Sequence, residues 1–147
     1  MREAQNWGPG TTQWAAQFLV ASELVRRGYR VAFTMGNHTA DADLMVHSPS
    51  TNSTFLVDVK GQKGSSGWLV RRKASNDRLF YILVRLAPQN DGGTERGVDK
   101  FYVMNQEETN GLIDKFRADH PGKGGTTQGF GYRYPQRFLN GWSTLPQ

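Results

Sequence analysis

The feature of this sequence that most constrains its fold is the apolar run at residues 79–86, which reads LFYILVRL. It is the most apolar stretch of the chain, and its β-branched and aromatic residues favour a strand. A strand that is apolar on both faces is typical of a sheet whose two faces are covered. The chain is therefore predicted to build its other elements around this buried central strand.

A helix is predicted over residues 11–27, where Thr11 or Thr12 can serve as the N-cap. Arg26 and Arg27 suit the negative C-terminal end of that helix, and Gly28 is a natural residue to end it. The face expected to pack on the sheet is an apolar stripe with helical spacing, formed by Trp14, Phe18, Ala21 and Val25.

Strands are predicted at residues 29–34, from residue 44 onward and at 55–60. The turn-forming residues 48–53 join the last two as a hairpin. A short strand at 100–104 leads to a helix that Asn105 caps and that runs to about residue 118. This order predicts an α/β fold in which helices flank a mixed central β-sheet.

Length and composition indicate one globular domain over residues 1–147, with its core at about 11–104 and a C-terminal helix and Gly-rich loop over 105–147. The chain has no cysteine, which excludes a disulfide scaffold, a thiolate zinc site and a cysteine nucleophile. The net charge of +5 favours an anionic partner, nucleic acid first. No apolar run approaches a membrane span and the N-terminus lacks a signal-peptide pattern, so a cytoplasmic protein without membrane contact is expected.

Three polar residues on the predicted hairpin could carry chemistry. Asp58 and Lys60 are two positions apart on one strand and therefore point to the same face, and Asp43 heads the neighbouring strand, which places it beside Asp58. Two facing carboxylates repel each other, and a divalent cation is the usual remedy. A lysine beside that cation can orient or deprotonate an attacking water. The alternative is a surface ion pair between Asp58 and Lys60, with Asp43 as a turn residue.

The order of the first helix, the strand GYRVAF and the segments DADLMV and FLVDVKG resembles the PD-(D/E)XK nuclease superfamily, which has a restriction-endonuclease-like fold. The resemblance covers roughly residues 11–86. It implies that Asp43 and Asp58 bind Mg²⁺ or Mn²⁺, with the carbonyl of Val59 as a further ligand, and that Lys60 assists the water.

Two positions depart from that family's pattern. Ala42 replaces the proline of the family name, and Gln17 stands where many members place a glutamate on the first helix. A neutral amide is a weaker metal ligand than a carboxylate. Gln17 is therefore kept as a candidate site residue that favours a one-metal site, the alternative being a plain polar surface residue.

Nucleic-acid contacts are predicted just beyond the motif, at Gln62 and Lys63 and at the three consecutive cations Arg71, Arg72 and Lys73. Trp68 precedes those cations and could stack on a base. The alternative is a solvated charge run beside a core tryptophan.

These patterns predict a metal-dependent nuclease that hydrolyses phosphodiester bonds, of DNA more than of RNA, and that could act as a homodimer. One alternative is a nucleic-acid-binding domain with weak or no catalysis, which Gln17 favours. Another is a structural or regulatory module that works through protein contacts, which the aromatic-rich C-terminal third favours.

Overall fold

The computed structural model describes residues 8, 10–34, 42–87, 97–122 and 128–147. Helix α1 (Thr11–Arg26) is followed by strands β1 (Arg30–Phe33), β2 (Leu44–Ser48), β3 (Ser53–Gln62), β4 (Leu79–Arg85) and β5 (Lys100–Asn105), and by helix α2 (Gln106–Asp119). Two 3-10 turns follow, at Gln136–Phe138 and Trp142–Thr144. Within these described ranges, no helix combines the length and the apolar character needed to cross a membrane.

The five strands form one mixed sheet whose spatial order follows the chain order. Strands β3 and β4 are parallel, and the other neighbouring pairs are antiparallel. Strand β4 is buried from Leu79 to Val84, as the apolar run predicts. The predicted α/β fold with a mixed central sheet is therefore confirmed.

Alternation along β4 separates two hydrophobic clusters, one on each face of the sheet. Phe80, Ile82 and Val84 pack with the α1 side, whereas Tyr81 and Leu83 pack with the α2 side. The sheet is thus covered on both faces, and this explains why the central strand has no polar face.

The predicted packing stripe of α1 is wrong. Trp14, Phe18 and Val25 are exposed at 44%, 60% and 56%, and of the predicted residues only Ala21 is buried. The helix instead packs through Ala16, Val20 and Leu24, all fully buried.

This face of α1 packs on the sheet because α1 and β3 approach each other closely. A Cβ added to Gly61 would lie 2.5 Å from the Cβ of Ala16 and 3.1 Å from the carbonyl oxygen of Thr12. Only small residues fit at this crossing, so the larger aromatic stripe turns outward. The predicted threonine N-cap is also wrong, because Gly10 occupies that position and no side chain caps the helix.

The C-terminal third is part of the core. Asn105 caps α2 through a reciprocal capping box with Glu108, which confirms the predicted cap. Farther along, Phe130 and Phe138 enter the cluster on the α2 side, and Trp142 enters the one on the α1 side. Residues 123–127 of the predicted Gly-rich loop lie outside the described residues.

Candidate active site

The pairing of β2 with β3 brings the two predicted carboxylates together. Leu44 lies opposite Val57, and the amide of Asp43 donates to the carbonyl of Val57 at 2.9 Å, so Asp43 is placed beside Asp58. The charge of Asp58 is near enough to contribute to the raised pKa of Asp43. The hairpin geometry expected from the sequence is present.

Asp43 immediately precedes β2, where β3 extends past the first residue of that partner strand. Its Oδ2 accepts from the amide of Val59 at 2.8 Å, and its Oδ1 faces the amide nitrogen of Gln17 at 3.5 Å. Burial raises the pKa of Asp43, the Val59 N–H works against that rise, and the charge of Asp58 adds to it. Asp43 is therefore harder to ionise than an exposed aspartate.

Asp58 is buried, with 3% of its surface exposed, so it does not form the surface ion pair considered as the alternative. Lys60 on the same strand places its Nζ 3.3 Å from Oδ1. Lys73 places its Nζ 2.7 Å from Oδ2. Both oxygens of this carboxylate therefore face an ammonium group.

Helix α1 supplies two glutamines to the site. Gln17 is buried at 7% exposure, so it is not the plain surface residue of the alternative reading. Gln13, one turn earlier, donates to the carbonyl of Val59 at 2.6 Å. Spacing of four residues puts both amides on one helix face. The carbonyl predicted as a metal ligand is thus engaged by Gln13, a residue that the sequence analysis missed.

The three consecutive cations go to three different places. Lys73 joins Asp58, Arg72 pairs with Asp114 on α2, and Arg71 is exposed. Arg71 and Arg72 also line a cavity of about 200 Å³ together with Arg117. The three cations therefore do not form one continuous phosphate-binding surface.

Trp68 is a core residue. It is 2% exposed, and its indole N–H donates to the carbonyl of Tyr132 at 3.2 Å. Its backbone also pairs with Phe130. The ring is enclosed, so it does not offer a base-stacking surface.

Gln62 and Lys63 follow the motif at the end of β3. Alternation puts Gln62 on the same face as Asp58 and Lys60, but its amide exchanges two hydrogen bonds of 3.0 Å with Ser66. Lys63 is exposed in the turn that follows. The Gln62 side chain is therefore held by Ser66, and Lys63 is the more accessible of the two residues to a ligand.

Tyr81 and Gln106 complete the surroundings of Asp58, and the sequence analysis identified neither of them. Tyr81 lies beside Asp58 on β4, and its buried hydroxyl has no hydrogen-bond partner among the described residues. Burial and the charge of Asp58 raise the pKa of Tyr81, so the hydroxyl keeps its proton. The Gln106 amide is nearby, but its hydrogens are bound to the carbonyls of Lys73 and Ala74.

The donor chemistry suits a hard divalent cation. Two carboxylates and a main-chain carbonyl are oxygen ligands, which Mg²⁺ prefers, and Mg²⁺ commonly keeps several waters. In the described part of the chain, no group of three or more His, Cys, Asp or Glu residues could hold a metal ion. The residues present therefore fit one ion held by few protein ligands.

Searches of protein-family models, curated proteins and solved structures found no match for this chain.

Proposed function

We propose that the protein is a metal-dependent nuclease of the PD-(D/E)XK type, with a restriction-endonuclease-like fold, that hydrolyses phosphodiester bonds in DNA. One observation carries the proposal. The β2–β3 pairing brings Asp43 beside Asp58, and Lys60 contacts that same Asp58. These are the residue types and the chain order that such a nuclease requires.

Asp43 and Asp58 would hold Mg²⁺ or Mn²⁺, with the Val59 carbonyl as a further ligand. When bound, the cation would neutralise charge at the scissile phosphate. Gln13 donates to the Val59 carbonyl, and that oxygen has a second lone pair with which to bind a cation. Gln17 faces Asp43 from the helix and would orient that carboxylate.

Lys60 is the group placed to orient the attacking water. Its side chain is 36% exposed while Asp58 beneath it is buried, so its ammonium lies at the mouth of the site. The water oxygen bonds to phosphorus and releases a proton to solvent, while the bond from phosphorus to a sugar oxygen breaks and that oxygen takes up a proton. A donor that holds the water in line with the breaking bond lowers the entropic part of the barrier.

A second candidate function is nucleic-acid binding without efficient catalysis. Gln17 favours it, because an amide contacts Asp43 where a glutamate would complete a stronger metal site. The third candidate function, a protein-interaction module, was favoured only by the aromatic-rich C-terminal third, and these aromatic residues do not support it. Phe130, Phe138 and Trp142 of the aromatic C-terminal third are buried in the protein's own core.

The test is cleavage of supercoiled plasmid and of a matched RNA, with Mg²⁺, with Mn²⁺ and with EDTA. Asp43→Asn, Asp58→Asn and Lys60→Ala should each lose metal-dependent DNA cleavage, by about 100-fold or more for the lysine. Asp77→Asn and Lys100→Ala change exposed residues and serve as matched controls.

Two outcomes would contradict the proposal. Equal cleavage by wild type and the three site variants would place the activity elsewhere. DNA binding without cleavage under any metal condition would support the binding domain instead.

A further inference from the structure

Lys73 makes the shorter of the two ion pairs to Asp58. Its Nζ lies 2.7 Å from Oδ2, against 3.3 Å between Lys60 and Oδ1. Lys60 comes from the strand that carries Asp58, whereas Lys73 comes from the connection between β3 and β4, residues 63–78. A distant part of the chain thus delivers a second ammonium to the buried carboxylate.

The backbone that carries Lys73 is fixed by one buried side chain. Gln106, at the first position of α2, donates to the carbonyls of Lys73 at 3.3 Å and Ala74 at 3.0 Å. Its own carbonyl accepts from the amide of Asn76 at 2.7 Å. This clamp fixes the main chain beside the site, and the four-carbon side chain of Lys73 extends from there to Asp58.

Charge balance ties this lysine to a cation. Asp43 and Asp58 are matched by Lys60 and Lys73 in the free protein, so the four charges cancel. A divalent ion on the carboxylates would give the site an excess of two positive charges and would repel the Lys73 ammonium. A phosphodiester would offset one of those charges, and the doubly charged transition state of hydrolysis would offset both.

The lysine is more accessible to solvent than the carboxylate that it contacts. Its side chain is 23% exposed, whereas that of Asp58 is 4% exposed. It also lines a cavity of about 540 Å³ beside the N-terminal half of α2, whose other charged lining residues are Glu107 and Asp114. An anion that approaches from solvent therefore meets this ammonium before it meets the carboxylate.

We propose that Lys73 is a phosphate-binding residue of the site, which rests on Asp58 in the free protein and moves to a non-bridging phosphate oxygen when a divalent cation replaces it on Asp58. The inference rests on the proposed nuclease function. It assigns to one side chain two opposite effects, competition with the metal and attraction of the nucleic acid.

The test uses Lys73→Met, with Lys100→Met as the matched control. Lys100 is an exposed cation at the start of β5, outside the predicted DNA contacts, so it reproduces the change in net charge. Mn²⁺ binding is measured by calorimetry without DNA, and binding of a labelled DNA duplex is measured by anisotropy in Ca²⁺. Lys73→Met should bind Mn²⁺ at least about threefold more tightly and the duplex at least about threefold more weakly. Lys100→Met should leave both affinities unchanged.

The outcomes separate this inference from the proposed function. Unchanged or weaker Mn²⁺ binding by Lys73→Met, with normal binding by the wild type, would overturn the role of Lys73 alone. Unchanged DNA affinity would overturn its phosphate contact. No Mn²⁺ binding and no cleavage by the wild type would overturn both proposals. If Lys73→Met does not fold, Lys73→Gln tests the same point, because an amide can still donate to Asp58 without a charge.

Discussion

At Asp43, burial and the neighbouring Asp58 both oppose ionisation, so the pKa is higher in the folded chain than in the unfolded one. Lys60 and the Val59 N–H act in the other direction and reduce the rise. Between the unfolded and folded pKa values the folded state binds more protons. The free energy of unfolding therefore falls as pH rises through that window, from about pH 4 upward.

The prediction compares wild type with Asp43→Asn in urea unfolding at pH 4 to 7 with EDTA. The variant lacks the titrating group, so its stability relative to wild type should increase as the pH rises. Adding millimolar Mg²⁺ should reduce that difference at neutral pH, because the cation stabilises the ionised wild type. Parallel pH profiles for the two proteins would contradict the raised pKa.

Gln17→Glu should strengthen metal binding and weaken the metal-free protein. The new carboxylate would lie next to Asp43, whose Oδ1 is 3.5 Å from the present amide nitrogen. Without metal the added charge is repelled, so the melting temperature should fall or stay level. A tenfold gain in metal affinity would add about 1.4 kcal/mol, or about 3–5 °C, to the metal-induced shift.

The measurement is a thermal melt of both proteins with and without millimolar Mg²⁺ or Mn²⁺. Gln17→Met is the control, because it keeps the length of the side chain and adds no charge. A metal-induced shift identical to that of wild type would show that position 17 does not act on the cation.

At the scale of the elements, the crossing of α1 over β3 depends on Gly61. Gly61→Ala should destabilise the protein by about 1–3 kcal/mol, because the new methyl group would lie 2.5 Å from the Cβ of Ala16. Adding Ala16→Gly should recover part of that loss. Gly111→Ala, on α2 with no heavy atom within 4 Å of the added Cβ, should instead stabilise by about 0.5–1 kcal/mol. Urea unfolding of the four proteins checks all three signs.

That same crossing shows where sequence patterns stop being informative. Both Trp14 with Phe18 and Ala16 with Val20 have helical spacing, and hydrophobicity favours the aromatic pair. Ala16 and Val20 pack on the sheet instead, because the gap at Gly61 accepts only a small side chain such as that of Ala16. Strand positions, by contrast, follow from local alternation and turn residues, and they could be predicted closely.

The candidate site likewise contains residues that local sequence patterns predict and contacts that they do not. Asp43, Asp58 and Lys60 could be predicted, because a hairpin register relates them over a short stretch of chain. The contacts of Gln13 with Val59 and of Lys73 with Asp58 could not, since they depend on how α1 and the β3–β4 connection cross the sheet. The charge run at 71–73 predicted Lys73 only as a nucleic-acid contact.

At the scale of the whole molecule, the net charge of +5 should appear in the salt dependence of DNA binding. Arg71→Ala should reduce the slope of log affinity against log salt by about one, as expected for a single phosphate contact. Arg30→Ala is the control, because Arg30 pairs with His47 at the end of β2 away from Asp43. Equal changes in slope would indicate a diffuse charge effect and no local contact at Arg71.

The clamp between Gln106 and the Lys73 backbone joins residues 33 positions apart, and the bond from Gln13 to Val59 joins residues 46 apart. Contacts between residues that are so far apart in the sequence form late, because closing the loop between them costs chain entropy before the contact can stabilise the structure. We expect the site to assemble near the end of folding, after the hairpin has formed. During synthesis, Asp43 and Asp58 are translated before Gln106, the residue that fixes the backbone of Lys73 beside them.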